Sequence, residues 1–484
     1  YGEVDALSSQ FGHVLSGLGV RQEERVMIAL PDSPEFVGAL FGILKIGAVV
    51  VMINPHLKPD QITYFLNYTR ARVAVVHDSI MESFQYAIDK AEYLDKTLIV
   101  GQPVEGYPHF SRLAKEVPDT LAAIDTHKDD PAMWLFSGGT TGSPKAVVQS
   151  HHSFANTTEL YAKRTLGYQK NDITLSVPKL FFGYATGSNL FFPFSVGAST
   201  VLFSDRPSPE LIFEKIRKHQ PTIMINVPTM INRMVNHPEA ANQDLSCLRF
   251  STSAGEALPS ELHHKWNSIF GSELLDGLGT AEMWHIFISN RPGEVYPGTL
   301  GKTVPGFEVK VCDSSGNTLS DNQIGELWVR GDSRALYYWQ QMEKTAQAFQ
   351  GEWYVSGDLV QRDGDGVFTY CGRKDDMIKV TGKWVSPKEI ENCLLQHRLV
   401  KECAVVGMKD DSGLMKAHAF VIPAEQEEQM EKTLQDYVVE SLAPYKAPKS
   451  VTITPSLPRT HLGKIDRGKL RTRDTVLLES VKPG

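Results

Sequence analysis

Ser137–Gly138–Gly139–Thr140–Thr141–Gly142–Ser143–Pro144–Lys145 directly follows the apolar run Met133–Phe136. Its three glycines leave backbone N–H groups free to face an anion, its four hydroxyls add donors, and a lysine closes it. Such a loop at the end of a buried strand holds phosphate groups. It is not a Walker A loop, because Ser143 and Pro144 follow Gly142 where Lys and Ser/Thr are required. A dinucleotide fingerprint is also absent, since Glu282 stands where Gly277–Leu278–Gly279 would need its third glycine. No G-x-S-x-G segment marks a serine hydrolase.

Outward from this loop, short apolar or β-branched runs alternate with amphipathic stretches. Val26–Leu30, Val49–Ile53, Val73–Val76, Met133–Phe136, Thr200–Phe203, Ile223–Ile225 and Leu248–Phe250 read as buried strands, which predicts α/β architecture with largely parallel sheets. Ser208 is a good N-cap with Pro209 at the first helical position, and Leu211, Ile212 and Ile216 form a stripe that Gln220–Pro221 ends. Ser386–Pro387–Lys388–Glu389 repeats the device, with Glu389 completing a capping box and Ile390, Cys393 and Leu394 facing the core. From about residue 300, frequent glycines between short runs such as Glu326–Arg330 and Val367–Tyr370 predict a β-rich module. A further α/β segment follows, with strands at Cys403–Gly407, Ala417–Ile422 and Val451–Ile453 and a helix near Glu428–Leu442. A boundary is expected near Arg373–Asp376, and there are no repeats or low-complexity tracts.

The chain has 484 residues, too many for one core, so two or more domains are expected. Hydrophobic residues at 42% and charged residues at 22% exclude disordered, collagen-like and disulfide-scaffold classes. No run approaches the ~18 apolar residues of a membrane span. The chain opens at Tyr1 without a basic leader or apolar signal core, so no secretory address and a trimmed N-terminus are expected. Residues 1–375 hold 32 basic and 42 acidic side chains (−10) and residues 376–484 hold 17 and 15 (+2), with no dense basic patch for nucleic acid. Five cysteines, an odd number with no C-x-x-C pair, point to reduced thiols and a cytoplasmic protein.

Six motifs in order resemble those of the adenylate-forming superfamily of acyl- and aryl-CoA ligases, peptide-synthetase adenylation domains and firefly-type luciferases. They are Ser137–Lys145, Gly277–Leu–Gly–Thr–Ala–Glu282, Gly325–Glu–Leu–Trp–Val–Arg–Gly331, Trp353–Tyr–Val–Ser–Gly–Asp358, Gly372–Arg–Lys–Asp–Asp376 and Arg459–Thr–His–Leu–Gly–Lys464. The resemblance implies a large N-terminal domain (1–374) of two α/β-layered subdomains plus the β-rich module (about 300–374), and a small mobile α+β C-terminal domain (375–484) hinged at Asp375. It also implies two steps. A carboxylate attacks the α-phosphorus of ATP to give an acyl adenylate and pyrophosphate, and a thiol then displaces AMP. The first step joins an anion to a polyanion, so it needs positive charge and in-line geometry.

By resemblance, Ser137, Gly138, Gly139, Thr140, Thr141, Gly142 and Lys145 hold the nucleotide's phosphates, with Thr280, and Glu282 holds Mg²⁺. Ala254, Gly255, Glu256, Ala257 and Leu278 sandwich the adenine, Leu278 replacing a frequent aromatic, and Asp276 and Gly277 also bind the nucleotide. Asp358 accepts both ribose hydroxyls, with Arg373 in support. Lys464 is the adenylation lysine, and Gly382, Lys383 and Trp384 line the coenzyme A tunnel, Thr381 replacing a common second glycine.

Lys179, Phe182, Gly183, Tyr184, Gly279, His285 and Ile286 are expected to form the acid pocket, together with Val227–Thr229 and Met283–Trp284. Lys179–Gly187 and the Gly277–Phe287 stretch are similar to the corresponding segments of benzoate- and hydroxybenzoate-CoA ligases. An aromatic-walled slot suits a benzene ring. Gly183 replaces an expected alanine, which would leave room for a ring substituent such as an ortho amino or hydroxyl group. The expected partners are therefore an aromatic carboxylic acid and coenzyme A, with no nucleic acid or membrane, in a monomer or homodimer. The competing readings are an aryl-acid adenylase loading a carrier protein, and a nucleotide-binding protein without turnover.

Overall fold

The computed structural model describes residues 1–138, 144–380, 383–410, 414–425, 427–459 and 465–472, with the side chains of 379, 383 and 384 excepted. They divide into two compact units. One holds the described residues up to Val309 together with Val329–Tyr354, and the other holds Lys310–Trp328 and the described residues from Val355 onward.

The first unit is built on two seven-stranded sheets. In the first sheet, Arg25–Ala29 lies between Val49–Met52 and Val73–His77, both parallel to it. Lys96–Val100 extends one side in parallel, and Pro131–Ser137 pairs in parallel with Val49–Met52 on the other. Lys145–Ser150 and then Tyr337–Tyr338 complete the sheet antiparallel. The second sheet repeats the plan. Ser199–Val201, Ile173–Ser176, Ile223–Asn226, Phe250–Ser253 and Leu274–Gly279 run parallel, and Ile286–Ser289 and Lys302–Thr303 follow antiparallel. Buried valines, isoleucines and leucines on both faces of the parallel strands explain why they appear as unbroken apolar runs.

Most expected strands form within a residue or two of their predicted ends. Cys403–Gly407 lies inside the longer strand Val400–Lys409, and Leu248–Phe250 is displaced, since the strand is Phe250–Ser253. Ser251, Thr252 and Ser253 look polar but are buried in mid-sheet, so hydropathy hid them. The helix after Ser208 runs Pro209–His219, with the Ser208 side chain accepting from the Leu211 N–H and Gln220 closing it at φ 47°. Ser386 likewise caps Pro387–Leu395. The reciprocal half of that capping box does not form, because the Glu389 carboxylate pairs with Lys446 instead.

Between residues 300 and 374 the chain makes seven strands and one short α-helix, Met342–Ala348, as the glycine-punctuated texture predicts. In the second unit, the C-terminal stretch packs helices Pro387–Leu395 and Met430–Ser441 on a sheet ordered Val400–Lys409, Met415–Pro423, Ser450–Ile453. All five cysteines are free. Among the described residues no helix is long and apolar enough to cross a membrane.

Candidate active site

Both central motifs occupy the same kind of place. In each sheet the last parallel strand turns back into the first antiparallel one, and the motif sits on that turn. Ser137 and Lys145 face each other across the Pro131–Ser137/Lys145–Ser150 pair. Gly279 faces Ile286 across Leu274–Gly279/Ile286–Ser289. Carboxyl ends of parallel strands, where the topology switches, are where open α/β sheets bind ligands.

Among the residues expected to hold phosphates and metal, Glu282, in the short turn Ala281–Met283, is the focus. It is only 5% exposed. Its Oε1 accepts from the Tyr338 hydroxyl at 2.8 Å and the Ser137 hydroxyl at 3.3 Å, and lies 3.4 Å from the Lys145 ammonium. The Lys145 Nζ also lies 3.8 Å from the centre of the Tyr338 ring. The Ala335 N–H donates to the Glu282 carbonyl at 2.7 Å, fixing the turn. The structure therefore brings Ser137, Lys145 and Glu282 together. Gly138 is exposed beside them, while Gly139, Thr140, Thr141 and Gly142 lie outside the described residues. Tyr338 was not foreseen. Its strand pairs with Lys145–Ser150, and its only sequence trace is the aromatic run Tyr337–Tyr338–Trp339 after the β-module motif.

Asp276 lies opposite Ser253 on the neighbouring strand, so Gly255, Glu256 and Ala257 leave the sheet beside Asp276, Gly277 and Leu278. Burial pushes the Asp276 pKa up to about 8. Its Oδ1 and the Thr280 hydroxyl are buried without a protein partner among the described residues. The Thr229 hydroxyl donates to Glu256 Oε2 at 2.8 Å, so Thr229 steadies this segment.

Among the residues expected to form the acid pocket, His285 is 3% exposed, and Tyr161, Tyr184 and Phe192 surround its ring with centroids 4.8–5.6 Å away. Its Nε2 donates to the Tyr184 carbonyl at 3.0 Å and lies 3.1 Å from the Ser188 hydroxyl. Burial lowers its pKa to about 4, so the ring is neutral at pH 7. Nδ1 is then the acceptor nitrogen, and it is buried without a partner among the described residues. The Tyr184 hydroxyl bonds Thr252 Oγ1 at 2.6 Å. Ser188 and Thr252 carried no sequence signal, since each is one hydroxyl in an otherwise structural segment.

Gly183 needs a correction. A Cβ there would fall 2.7 Å from Leu135 Cδ1, so the missing methyl admits Leu135 rather than leaving room for a ring substituent. Gly279 is sterically obligatory, because a Cβ would fall 2.4 Å from the His285 carbonyl oxygen. Trp284, expected to line the pocket, packs into the core beside Phe154 and Phe191. Its φ of 64° makes a tight turn closed by the His285 N–H on the Met283 carbonyl at 2.7 Å. Lys179 turns away from solvent, donating to the Phe203 carbonyl at 2.6 Å, and burial lowers its pKa to about 8. Phe182 and Tyr184 are half-buried, and Ile286 is buried in its strand.

In the second unit, Asp358 and Arg373 are register partners in the antiparallel pair Trp353–Arg362/Phe368–Arg373. Asp358 Oδ1 accepts from Arg373 Nη1 at 3.0 Å and from the Tyr370 hydroxyl at 3.3 Å. Asp375 is exposed in the turn Lys374–Asp376, and the strand Lys383–Val385 pairs with Ile378–Val380. Gly382, Lys464 and the side chains of Lys383 and Trp384 lie outside the described residues.

The family model for AMP-binding enzymes matches residues 1–339, and the model for the C-terminal domain of AMP-binding enzymes matches residues 389–464. The chain is 39% identical to a benzoate–CoA ligase of Thauera aromatica over 94% of its own length and 87% of that protein's. It is 31% identical to an anthranilate–CoA ligase of Pseudomonas aeruginosa, covering 93% and 86% of the two chains. Its structure is similar to that of the anthranilate CoA ligase AuaEII in complex with anthranoyl-AMP, with a TM-score of 0.92 and 40% identity over 97% and 91% of the two chains.

Proposed function

Because the chain belongs to the AMP-binding enzyme family, we propose that it is an ATP-dependent aryl-CoA ligase. An aromatic carboxylate oxygen attacks the α-phosphorus of ATP, and the bond to the β,γ-pyrophosphate breaks. The coenzyme A thiol then attacks the carbonyl carbon of the aryl adenylate, AMP leaves, and the thiol proton passes to solvent. The observation that carries this reading is the buried carboxylate of Glu282, with Ser137, Lys145 and Tyr338 converging on one of its oxygens.

Magnesium fits this carboxylate. Among the described residues no group of three or more His, Cys, Asp or Glu could hold a metal alone. A hard cation that takes one carboxylate and draws its other ligands from phosphate oxygens and water suits Glu282. When bound, it would polarise the phosphoryl oxygens. This chain's own residues supply the rest. Lys145 and the hydroxyls of Ser137 and Thr280 face the phosphates. The Asp276 carboxyl offers polar atoms to the base. Asp358, oriented by Arg373 and Tyr370, takes the ribose. Lys464 serves adenylation, and rotation at Asp375, the boundary between domains 1–374 and 375–484, exchanges it for the tunnel formed by Gly382, Lys383 and Trp384. A hinge residue need only absorb a large backbone change.

The acid is a benzoate that carries a ring donor, with 2-aminobenzoate or 2-hydroxybenzoate the leading candidates. His285 Nδ1 is an acceptor, and a carboxylate is also acceptor-only. The ring nitrogen is thus matched to an amino or hydroxyl hydrogen and not to the carboxylate. Pyrophosphate exchange into ATP across benzoate, 2-aminobenzoate, 2-hydroxybenzoate and 4-hydroxybenzoate, followed by mass detection of coenzyme A thioesters, tests the proposal. Release of ADP instead of AMP, or preference for medium-chain fatty acids, would overturn it. An adenylate formed without any aryl-CoA would favour loading of a carrier protein.

A further inference from the structure

Asp32 lies outside every motif. It follows the strand Arg25–Ala29 and precedes Ser33, whose side chain caps the helix Pro34–Lys45 by accepting from the Phe36 N–H. That helix does not use the Asp32 carboxylate for its cap. Asp32 is 6% exposed, and its Oδ1 accepts the N–H of Leu180 at 2.9 Å, 148 residues away. The opposite side of the same residue is held as firmly, since the Thr186 hydroxyl donates to the Leu180 carbonyl at 2.6 Å. The turn between them closes through the Phe182 N–H on the Lys179 carbonyl at 2.9 Å. The Lys179 ammonium, anchored on the Phe203 carbonyl, supplies the charge that opposes Asp32.

A buried carboxylate is costly where a neutral acceptor could serve, so its retention on one turn calls for a cause beyond that hydrogen bond. The turn leads directly into Phe182, Gly183 and Tyr184, and Tyr184 continues to His285 through its carbonyl. We propose that Asp32 is a positioning residue for the acid pocket. Through the Leu180 peptide and the Lys179 ammonium, it fixes the turn from which Phe182 and Tyr184 project, and so sets affinity for the aromatic acid. This rests on the reading of Lys179–Gly187 as the acid wall.

The test separates substrates and half-reactions. Asp32→Ala removes a charge-assisted bond and is expected to raise the KM for the aromatic acid about tenfold or more. The KM for ATP and the rate of thioester formation from supplied aryl adenylate stay within about twofold. Asp32→Asn keeps an acceptor oxygen for the Leu180 N–H but not the charge opposing Lys179, and recovers only part of the acid KM. If Asp32→Ala is not obtained folded, Asp32→Glu, which keeps the charge but moves it by one methylene, carries the same test. Phe182→Ala checks the pocket itself. If Phe182→Ala changes the acid KM and the Asp32 variants do not, Asp32 has no positioning role. If neither changes it, the reading of the pocket fails. Equal rises in the KM for acid and for ATP would mark Asp32 as a general structural residue and overturn the proposal.

Discussion

Gly187→Ala adds a single methyl against His285, at the back of the proposed acid pocket. Its Cβ would fall 2.5 Å from His285 Cδ2, 2.8 Å from His285 Nε2 and 3.2 Å from Phe192 Cζ. No rotamer relieves this, because a Cβ is fixed by the backbone. His285 is held by Tyr184 and Ser188, and Phe192 is fully buried, so the ring must shift by about 1 Å to reach ordinary contact. Overpacking of this kind costs ~1–3 kcal/mol. Against it, the backbone at Gly187 is helical, with φ −66° and ψ −67°, where alanine gains about 1 kcal/mol over glycine. The net loss of stability is therefore small, between about zero and 2 kcal/mol, or a few degrees in Tm. The kinetic effect is larger, because displacement of a positioning group by about 1 Å can cost up to ~100-fold. We expect kcat/KM for the aromatic acid to fall about 10- to 100-fold while the KM for ATP is unchanged. Pyrophosphate exchange with the acid varied at saturating ATP, beside a thermal melt, measures both. A raised Tm with unaltered acid kinetics would refute the packing argument and the place of His285 in the acid wall together.

Lys464→Ala should abolish pyrophosphate exchange yet spare conversion of supplied aryl adenylate to aryl-CoA, and equal loss of both steps would remove its assignment. Glu282→Gln should lower pyrophosphate exchange by ~100-fold or more and weaken Mn²⁺ binding in the presence of ATP, followed by paramagnetic relaxation of water; unchanged metal affinity counts against Glu282 as the ligand. Asp358→Ala should raise the KM for ATP about tenfold or more without altering the KM for the acid, and steady-state titrations of each substrate decide it. His285 is neutral when folded and has a pKa of about 4, against ~6.5 unfolded, so the unfolded chain takes up the proton first. Its contribution to stability is intact above about pH 6.5 and falls at up to ~1.4 kcal/mol per pH unit as the pH drops toward 4. Denaturant titrations of His285→Gln should show a flatter acid limb than the parent, and superimposable limbs would show that the ring is not buried neutral.

Local rules made much of this fold legible. The Ser208 and Ser386 caps, the parallel strands and the glycine-rich module follow from neighbours along the chain. The strand Phe250–Ser253 did not, because hydroxyl residues buried in mid-sheet look like loop residues. Partners distant in sequence were equally hidden. Tyr338 reaches Glu282, Thr252 reaches Tyr184, and Asp32 reaches Leu180 only after the sheets assemble. The Gly183 reading failed for the same reason, since the neighbour that fills its space, Leu135, comes from the other sheet. Glu389 had the right spacing for a reciprocal cap but lost it to Lys446, a stronger partner 57 residues away.

The turn at Trp284 has a bearing on how new specificities arise. A bulky residue at φ 64° stores ~1–3 kcal/mol, held in place by burial of its indole and by the Ala335 and His285 N–H bonds that fix the turn. Glu282 and His285 hang from that same sprung connection, three positions apart. A substitution that reshapes the acid wall from this side therefore tugs on the group proposed to hold the metal, and selection for a different acid would collide with the need to keep making adenylate. Phe182 is anchored on a different segment and makes no bond to His285, whereas Tyr184 and Ser188 hold the His285 ring and share its linkage. Laboratory libraries meant to retarget the ligase should diversify Phe182 first and leave Tyr184, Ser188 and 279–286 untouched, a route open to natural divergence as well.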